Sequence, residues 1–330
     1  MLTKTSLIFL LALFFQSCNF STSKFEKDQA IDGATRQEIK TLNDKLFQGI
    51  TKNDLTTLQS LLSPALLEKF GNDTNKLINL ISSKEINNYS ILDEYSVKAS
   101  APKISIVLPS ENTQDNDYIF TFESPNKDSY VSLLLLNNFD NQFLLAAVYG
   151  KYGNEWKLNI LKFGEYSFLG KTAYDYFKMA KESAKKSYLI DAVDNILVSI
   201  DLLQPSGSYL QFINEKEIKE FGDSLLQQVN NKYKFPMTLS SIESKPQLFR
   251  IFPQVMKDGF SPMVYYRTDI NLKDTISLKS ENLKIRKVVD SAFTGIDKDK
   301  KFIFYWAFNE MPDGKKLLDR YGFVDSLKNK

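Results

Sequence analysis

Residues 130–163 constrain the fold of this chain more than any other stretch. "YVSLLLL" and "FLLAAVYGKY" are apolar runs separated by the turn-forming segment "NNFDNQ". "GNE" then leads straight into "WKLNILKF". Apolar runs bounded by such residues read as strands, and connections this short join antiparallel neighbours. In the middle run Phe143, Leu145, Ala147 and Tyr149 point one way, and Leu144, Ala146 and Val148 the other. Both faces are apolar, so this strand is expected to be central and buried. In the third run Trp156, Leu158 and Ile160 share a face, with Lys157 and Asn159 opposite.

Upstream the period is helical. Ile39, Leu42, Leu46, Phe47 and Ile50 recur at helical spacing. Asn53 or Asp54 then caps a helix carrying Leu55, Leu58, Leu61 and Leu62. "SPALLEKFG" places Ser63 as N-cap and Pro64 at the first helical position. Leu77, Ile78 and Ile81 mark a further helical piece. From Tyr89 the pattern turns to strands, with "KISIVLP" and "DYIFTFES" alternating.

Helices first, then an antiparallel sheet ending in "GNEWKLNILKF", resemble the NTF2-like cone fold, and the Gly-x-x-Trp-Lys-Leu ending is common in bacterial lipoproteins of that group. The resemblance covers about residues 34–165. It implies an α+β cone whose curved sheet surrounds an interior covered by helices. Trp156, Leu158, Ile160 and Tyr149 are then the expected lining of an apolar pocket for a lipid-like or aromatic ligand. A solidly packed core is the competing expectation. The fold hosts enzymes, binding domains and spacers alike, so it does not fix a function.

"TAYDYFKMAKESAKKSYLIDAVDNILVSIDLLQPSG" reads as a helix pair. Tyr176, Ala180, Tyr188, Ala192, Ile196 and Leu203-Gln204-Pro205 resemble a tetratricopeptide repeat. One copy is visible, whereas a solenoid needs about three, so a helical hairpin is the simpler reading. A helix over Glu215 to Asn230 follows. Further on, "KPQLFRIFPQVMKDG" looks helical at its edges. "MVYYRTDI", "LKIRKVVDSAFTGI" and "KFIFYWAFNE" read as strands, and "DGKKLLDRYGF" as a short closing helix. The expected organisation is a signal at 1–17, a tether at 18–32, an NTF2-like domain at 33–165, a helical segment at 166–231 and an α+β domain at 232–330.

The N-terminus speaks to location. Lys4 precedes an apolar run from Leu7 to Phe15, a secretory h-region in length and too short to span a bilayer. Ser17 then precedes Cys18, the only cysteine of the chain. This resembles a bacterial lipoprotein signal, with Phe15-Gln16-Ser17-Cys18 where the usual pattern is Leu-(Ala/Ser)-(Gly/Ala)-Cys. It implies a diacylglycerol group on the Cys18 thiol, cleavage before Cys18 and further fatty acylation such as palmitate. A lone thiol in an exported chain has no intramolecular disulfide to make, and acylation accounts for it. Asn19, where Asp would favour the inner membrane, points to the outer membrane. The implied location is the bacterial cell envelope, with the membrane as partner through the lipid. "NFSTSKFEKDQAID" after Cys18 is mostly polar and reads as the tether.

The absence of histidine excludes Ser-His-Asp and Cys-His devices and histidine metal sites. Neither a phosphate-binding glycine loop nor a zinc-protease motif occurs, and no cofactor or metal is implied. Lys and Arg total 42 against 40 for Asp and Glu, so charge gives no case for nucleic acid. Catalysis would rest on Asp, Glu, Tyr, Lys, Ser or Thr. Asp93 and Glu94 would supply an acid/base pair if they faced the cone, but read as a solvated strand start. Asp297 to Lys300 ("DKDK") reads as a turn rather than a calcium loop, and Asp115 to Asp117 as a loop before a strand. Tyr265, Tyr266 and Arg267 read as edge-strand aromatics rather than a stacking surface, and Trp306 as core. The reading is an anchored protein that binds or scaffolds, with a protein or an apolar small molecule as partner. A histidine-free enzyme and an adaptor acting through the helical hairpin are the alternatives.

Overall fold

In the computed structural model, residues 23–70, 79, 81–111, 115–257 and 259–327 are described. Cys18 and its signal lie outside them, as do Leu77 and Ile78. The chain is α+β. It forms two compact units between which it passes repeatedly. The first comprises residues up to 109, 120–136 and 144–163. The second comprises 110–119, 137–143 and 164–330.

The first unit opens with strand β1 (Ser23–Lys27) and a 3₁₀ turn over Asp28–Ala30, then three helices: α1 (Gly33–Thr51), α2 (Leu55–Leu61) and α3 (Pro64–Phe70). Each start has a local cause. Asp32 accepts the Thr35 N–H (2.9 Å), Asp54 the Thr57 N–H (3.1 Å) and Ser63 the Leu66 N–H (3.2 Å), each satisfying an orphan donor of a first turn. Strands β2 (Asn88–Ala99), β3 (Ser105–Pro109), β4 (Tyr118–Glu123), β5 (Asp128–Asn138), β6 (Asn141–Tyr152) and β7 (Glu155–Phe168) follow. Together with β8 (Lys171–Thr172) the main sheet has the order β1-β2-β5-β6-β7-β8. The β5-β6-β7 meander expected from residues 130–163 is present, with two-residue connections at Phe139-Asp140 and Gly153-Asn154. Leu144 to Tyr149 of β6 are buried on both faces, as a central strand requires.

Residues 23–32 are not the free tether that their composition suggests. β1 pairs antiparallel with β2, Ser23 opposite Ala99 and Lys27 opposite Tyr95. As an edge strand it has one paired side and one apolar anchor, Phe25, whose ring meets Tyr95 edge-on at 6.0 Å. A five-residue edge strand with a single half-buried ring carries almost no hydrophobic period, which is why it reads as linker.

The second unit holds helices α4 (Ala173–Lys185), α5 (Leu189–Asp201) and α6 (Glu215–Lys232), with a short strand β9 (Leu210–Phe212) between the last two. Strands β3, β4 and β9 form a small sheet in the order β3-β4-β9. A third sheet, in the order β10-β11-β12-β13-β14, combines β10 (Met237–Thr238), β11 (Gln247–Met256), β12 (Gly259–Arg267), β13 (Phe302–Phe308) and β14 (Tyr321–Ser326). β12 and β13 are parallel and are connected through helix α7 (Thr275–Ala292), while the flanking pairs β11–β12 and β13–β14 are antiparallel. A parallel pair needs such a crossover.

Three expectations for this region fail. "LKIRKVVDSAFTGI" belongs largely to α7: Asp274 caps it, and Leu278, Ile285 and Val289 form its buried stripe. Its Ile and Val residues mimic strand composition while following the helical period. "QLFRIFPQVM" is strand β11, Pro253 included. Residues 310–320 form no helix, and the chain resumes as β14. Among the described residues, no helix is long and apolar enough to cross a membrane.

Candidate functional site

The richest polar constellation in the first unit lies where α1 covers the sheet. The buried stripe of α1 is Ile39, Asn43, Leu46, Gly49 and Ile50, so an amide sits in the middle of an apolar face. Asn43 is fully buried. It accepts a hydrogen bond from the Tyr149 hydroxyl (2.9 Å) and donates one to Ser132 Oγ (3.0 Å). Helix, β6 and β5 are thereby stitched through one side chain.

Further polar contacts, centred on Glu94 and on Asp44, continue this seam. Glu94 on β2, expected to be solvated, is buried. Its carboxylate accepts from Arg36 Nε (2.6 Å) and from the Tyr130 hydroxyl (2.7 Å). Asp93 is also buried but pairs with Lys27 of β1 at 2.9 Å. Successive strand residues point to opposite faces, so the two carboxylates do not form an acid/base pair. At the start of β2 the Tyr89 hydroxyl donates to Asp44, which also takes a hydrogen bond from Lys40 at 2.7 Å.

The electrostatics of the seam favour fixed protonation states. Burial opposes the Asp44 charge, but Lys40 and Tyr89 more than offset it and hold this carboxyl below its usual value. Burial pushes the Tyr130 and Tyr149 phenols far above the ordinary tyrosine range, Tyr130 further through its bond to Glu94. Phenols of that kind remain donors at neutral pH. They are poor proton-transfer groups, because an efficient acid or base has a pKa near the working pH.

Of the four residues expected to line an apolar pocket, Tyr149 is tied to Asn43 as described. Trp156 is buried: its indole N–H donates to Glu38 (3.2 Å), its ring meets Tyr130 edge-on at 6.3 Å, and the Lys151 ammonium lies 5.4 Å from its centre. Leu158 is fully buried and bridges to Leu62 at the joint of α2 and α3. Ile160 is half-buried. Trp156, Tyr149 and Leu158 thus meet the overlying helices, and two of the three do so through polar atoms. The sequence pattern did not reveal Asn43, Ser132, Glu38 or Tyr130 as members of this seam.

The second unit offers three weaker constellations. On α5, Asp191 binds Lys300 at 3.1 Å, and Asp194 is 5% exposed. Burial, with Asp191 adding to it, pushes the Asp194 carboxyl up to about 8. Lys300 comes from the "DKDK" turn, so that motif acts as a clasp, and no cluster of metal-ligating residues occurs among the described residues. Next, Tyr265 lies on a central strand rather than an edge. It sits beside Phe252 (4.8 Å) and Trp306 (6.1 Å) on the half-exposed face of the third sheet, while Tyr266 is core and Arg267 binds Asp269 at 2.6 Å. Trp306 is not core: it is half-exposed, with the Arg320 guanidinium 3.3 Å from its ring centre. Last, an open cavity of about 540 Å³ is lined by Lys273, Asn309, Glu310, Lys316, Asp319 and Arg320 among others. Its Lys316 and Glu310 pair with each other at 2.7 Å, and its Asn309 is held by the Thr268 and Ile270 carbonyls.

Comparison with protein-family models, with characterised proteins and with solved structures finds no match.

Proposed function

We propose that this chain is a lipid-anchored protein of the bacterial cell envelope, with an NTF2-like first domain and a binding or scaffolding role. One observation carries the reading: Lys4, the apolar run Leu7–Phe15, Ser17 and the only cysteine, Cys18, stand in the order a lipoprotein signal needs. The fold agrees with an anchor close by. Strand β1 begins at Ser23, five residues after Cys18, and five residues reach at most about 17 Å. The folded part would therefore be held near the membrane surface rather than on a long leash.

The seam under α1 supports holding rather than chemistry. Its amide is bound by Tyr149 and Ser132 and its Glu94 carboxylate by Tyr130 and Arg36, and the tyrosines are set far from neutral titration. The three α-helices ahead of a meander are what an NTF2-like cone would require. The test is metabolic labelling with a fatty-acid analogue. The parent chain is expected to take up label and fractionate with membranes, and Cys18→Ala to do neither. Undiminished labelling of Cys18→Ala would overturn the reading.

A further inference from the structure

At the Ser23 end of the main sheet the first unit gathers positive charge. Ser23 pairs with Ala99, and the Ala99 N–H donates to the Lys127 carbonyl (2.7 Å). The Asn126 side chain donates to the Lys151 carbonyl (3.2 Å), and the Lys103 N–H to the Ser124 carbonyl (2.6 Å). These bonds bring the ends of β1, β2, β5 and β6 together with the β2–β3 and β4–β5 connections. The resulting edge carries Lys24, Lys98, Lys103, Lys127 and Lys151, all exposed.

Among the described residues none of these five ammonium groups is in an ion pair. Glu26 on β1, Glu123 at the end of β4, Asp128 at the start of β5 and Glu155 at the start of β7 are carboxylates close by in sequence, and Glu155 is engaged by Lys157 at 3.4 Å. Lys24 and Lys98 stand directly opposite each other in the antiparallel register. Like charges so placed repel and destabilise the pair unless an anion lies against them. The chain arrives at this same edge from Cys18, five residues before Ser23.

We propose that this lysine edge lies on the anionic headgroups of the membrane that holds Cys18. The proposal rests on the acylation of Cys18. Acyl chains supply the stable anchor, and a lysine near an anionic surface adds about a fivefold preference for it. The anchor sets the distance, and the lysines set which face of the unit turns to the bilayer.

The experiment uses the full-length lipoprotein reconstituted in vesicles of phosphatidylcholine, with or without phosphatidylglycerol. An amine-reactive reagent is applied, and modification of each lysine is read by mass spectrometry. Phosphatidylglycerol is expected to slow modification of Lys98, Lys103, Lys127 and Lys151 by about threefold or more, and high salt to restore it. Lys45 and Lys52 serve as controls, because Phe47 beside them packs on Tyr89 at the opposite end of β2. Lys98→Gln with Lys127→Gln, both exposed, should weaken the protection of Lys103 and Lys151. Equal modification in the two vesicle types would overturn the proposal, as would slowing shared by Lys45 and Lys52. Protection by a soluble acidic polysaccharide with none from vesicles would also overturn it. The N-terminal peptide from the same digest shows whether Cys18 is acylated. A missing acyl group would sink the anchor and this contact together, whereas an acylated chain without differential protection would sink the contact alone.

Discussion

At the scale of single residues, the fold relies on polar groups that are buried and partnered. Tyr149→Phe removes one hydroxyl and leaves the buried Asn43 oxygen without its donor, so a loss of about 1–2 kcal/mol is expected from urea unfolding. Asn43→Leu strands both Tyr149 and Ser132 and should cost more. Combining Asn43→Leu with Tyr149→Phe should cost less than the sum of the two, because the second change removes a group the first has orphaned. Strict additivity would mean that the bond contributes nothing. Asp194 gives a pH signature. The folded chain keeps its proton up to about pH 8, whereas the unfolded chain releases it near 3.8. The folded state binds the extra proton between these values, so stability falls as pH rises from about 4 to about 8. Asp194→Asn stays neutral throughout and should flatten that slope, most visibly as a higher melting temperature near pH 8. A variant that melts in parallel with the parent at every pH would show that Asp194 is ionised in the fold.

Elements show why some of the fold was legible and some was not. The meander could be read because its apolar runs are bounded by turn formers, and β6 announces its central place through two apolar faces. α4 and α5 could be read because their helical period is uninterrupted. α7 reads as strand because Val288 and Val289 have strand composition, although Asp274, Leu278, Ile285 and Val289 carry the helical spacing. β1 reads as linker because an edge strand with one ring has little pattern. The seam under α1 was invisible for a different reason: Asn43 and Tyr149 are 106 positions apart, and only the folded sheet brings them together. The interiors of elements also make testable demands. Thr172 and Asp175 form a reciprocal capping box at the start of α4, so Thr172→Ala should cost about 1 kcal/mol in urea unfolding. Gly295, after α7, has φ +79°, and a Cβ there would lie 2.1 Å from the Tyr188 ring. Gly295→Ala combines backbone strain with that clash and should destabilise by about 2 kcal/mol or more in the same assay. A neutral result would mean that the turn carrying Lys300 does not dock on α5.

On the scale of the whole molecule, the path of the chain decides how the units can be separated. Residues 110–119 and 137–143 belong to the second unit but are bracketed by segments of the first. A cut after residue 163 therefore deprives the remainder, 164–330, of two pieces of its own unit. Linker composition suggests a nick at "QPSGS", but Pro205 and Ser206 are buried, and the Pro205 carbonyl lies 2.6 Å from where a Gly164 Cβ would be. Residues 309–317 are exposed throughout and lie outside regular structure. Trypsin is thus expected to cut first after Lys315 or Lys316, leaving a fragment that retains both units except β14. The fragments 23–163 and 164–330, produced separately, should each show poorer chemical-shift dispersion and a lower melting temperature than the intact chain. Interlacing of the two units makes a sharper demand on the second fragment. Adding back a peptide spanning 110–143 should improve its dispersion, because that peptide contains both missing segments. Two fragments that fold fully without help would mean that the bracketed segments are dispensable to the unit they join.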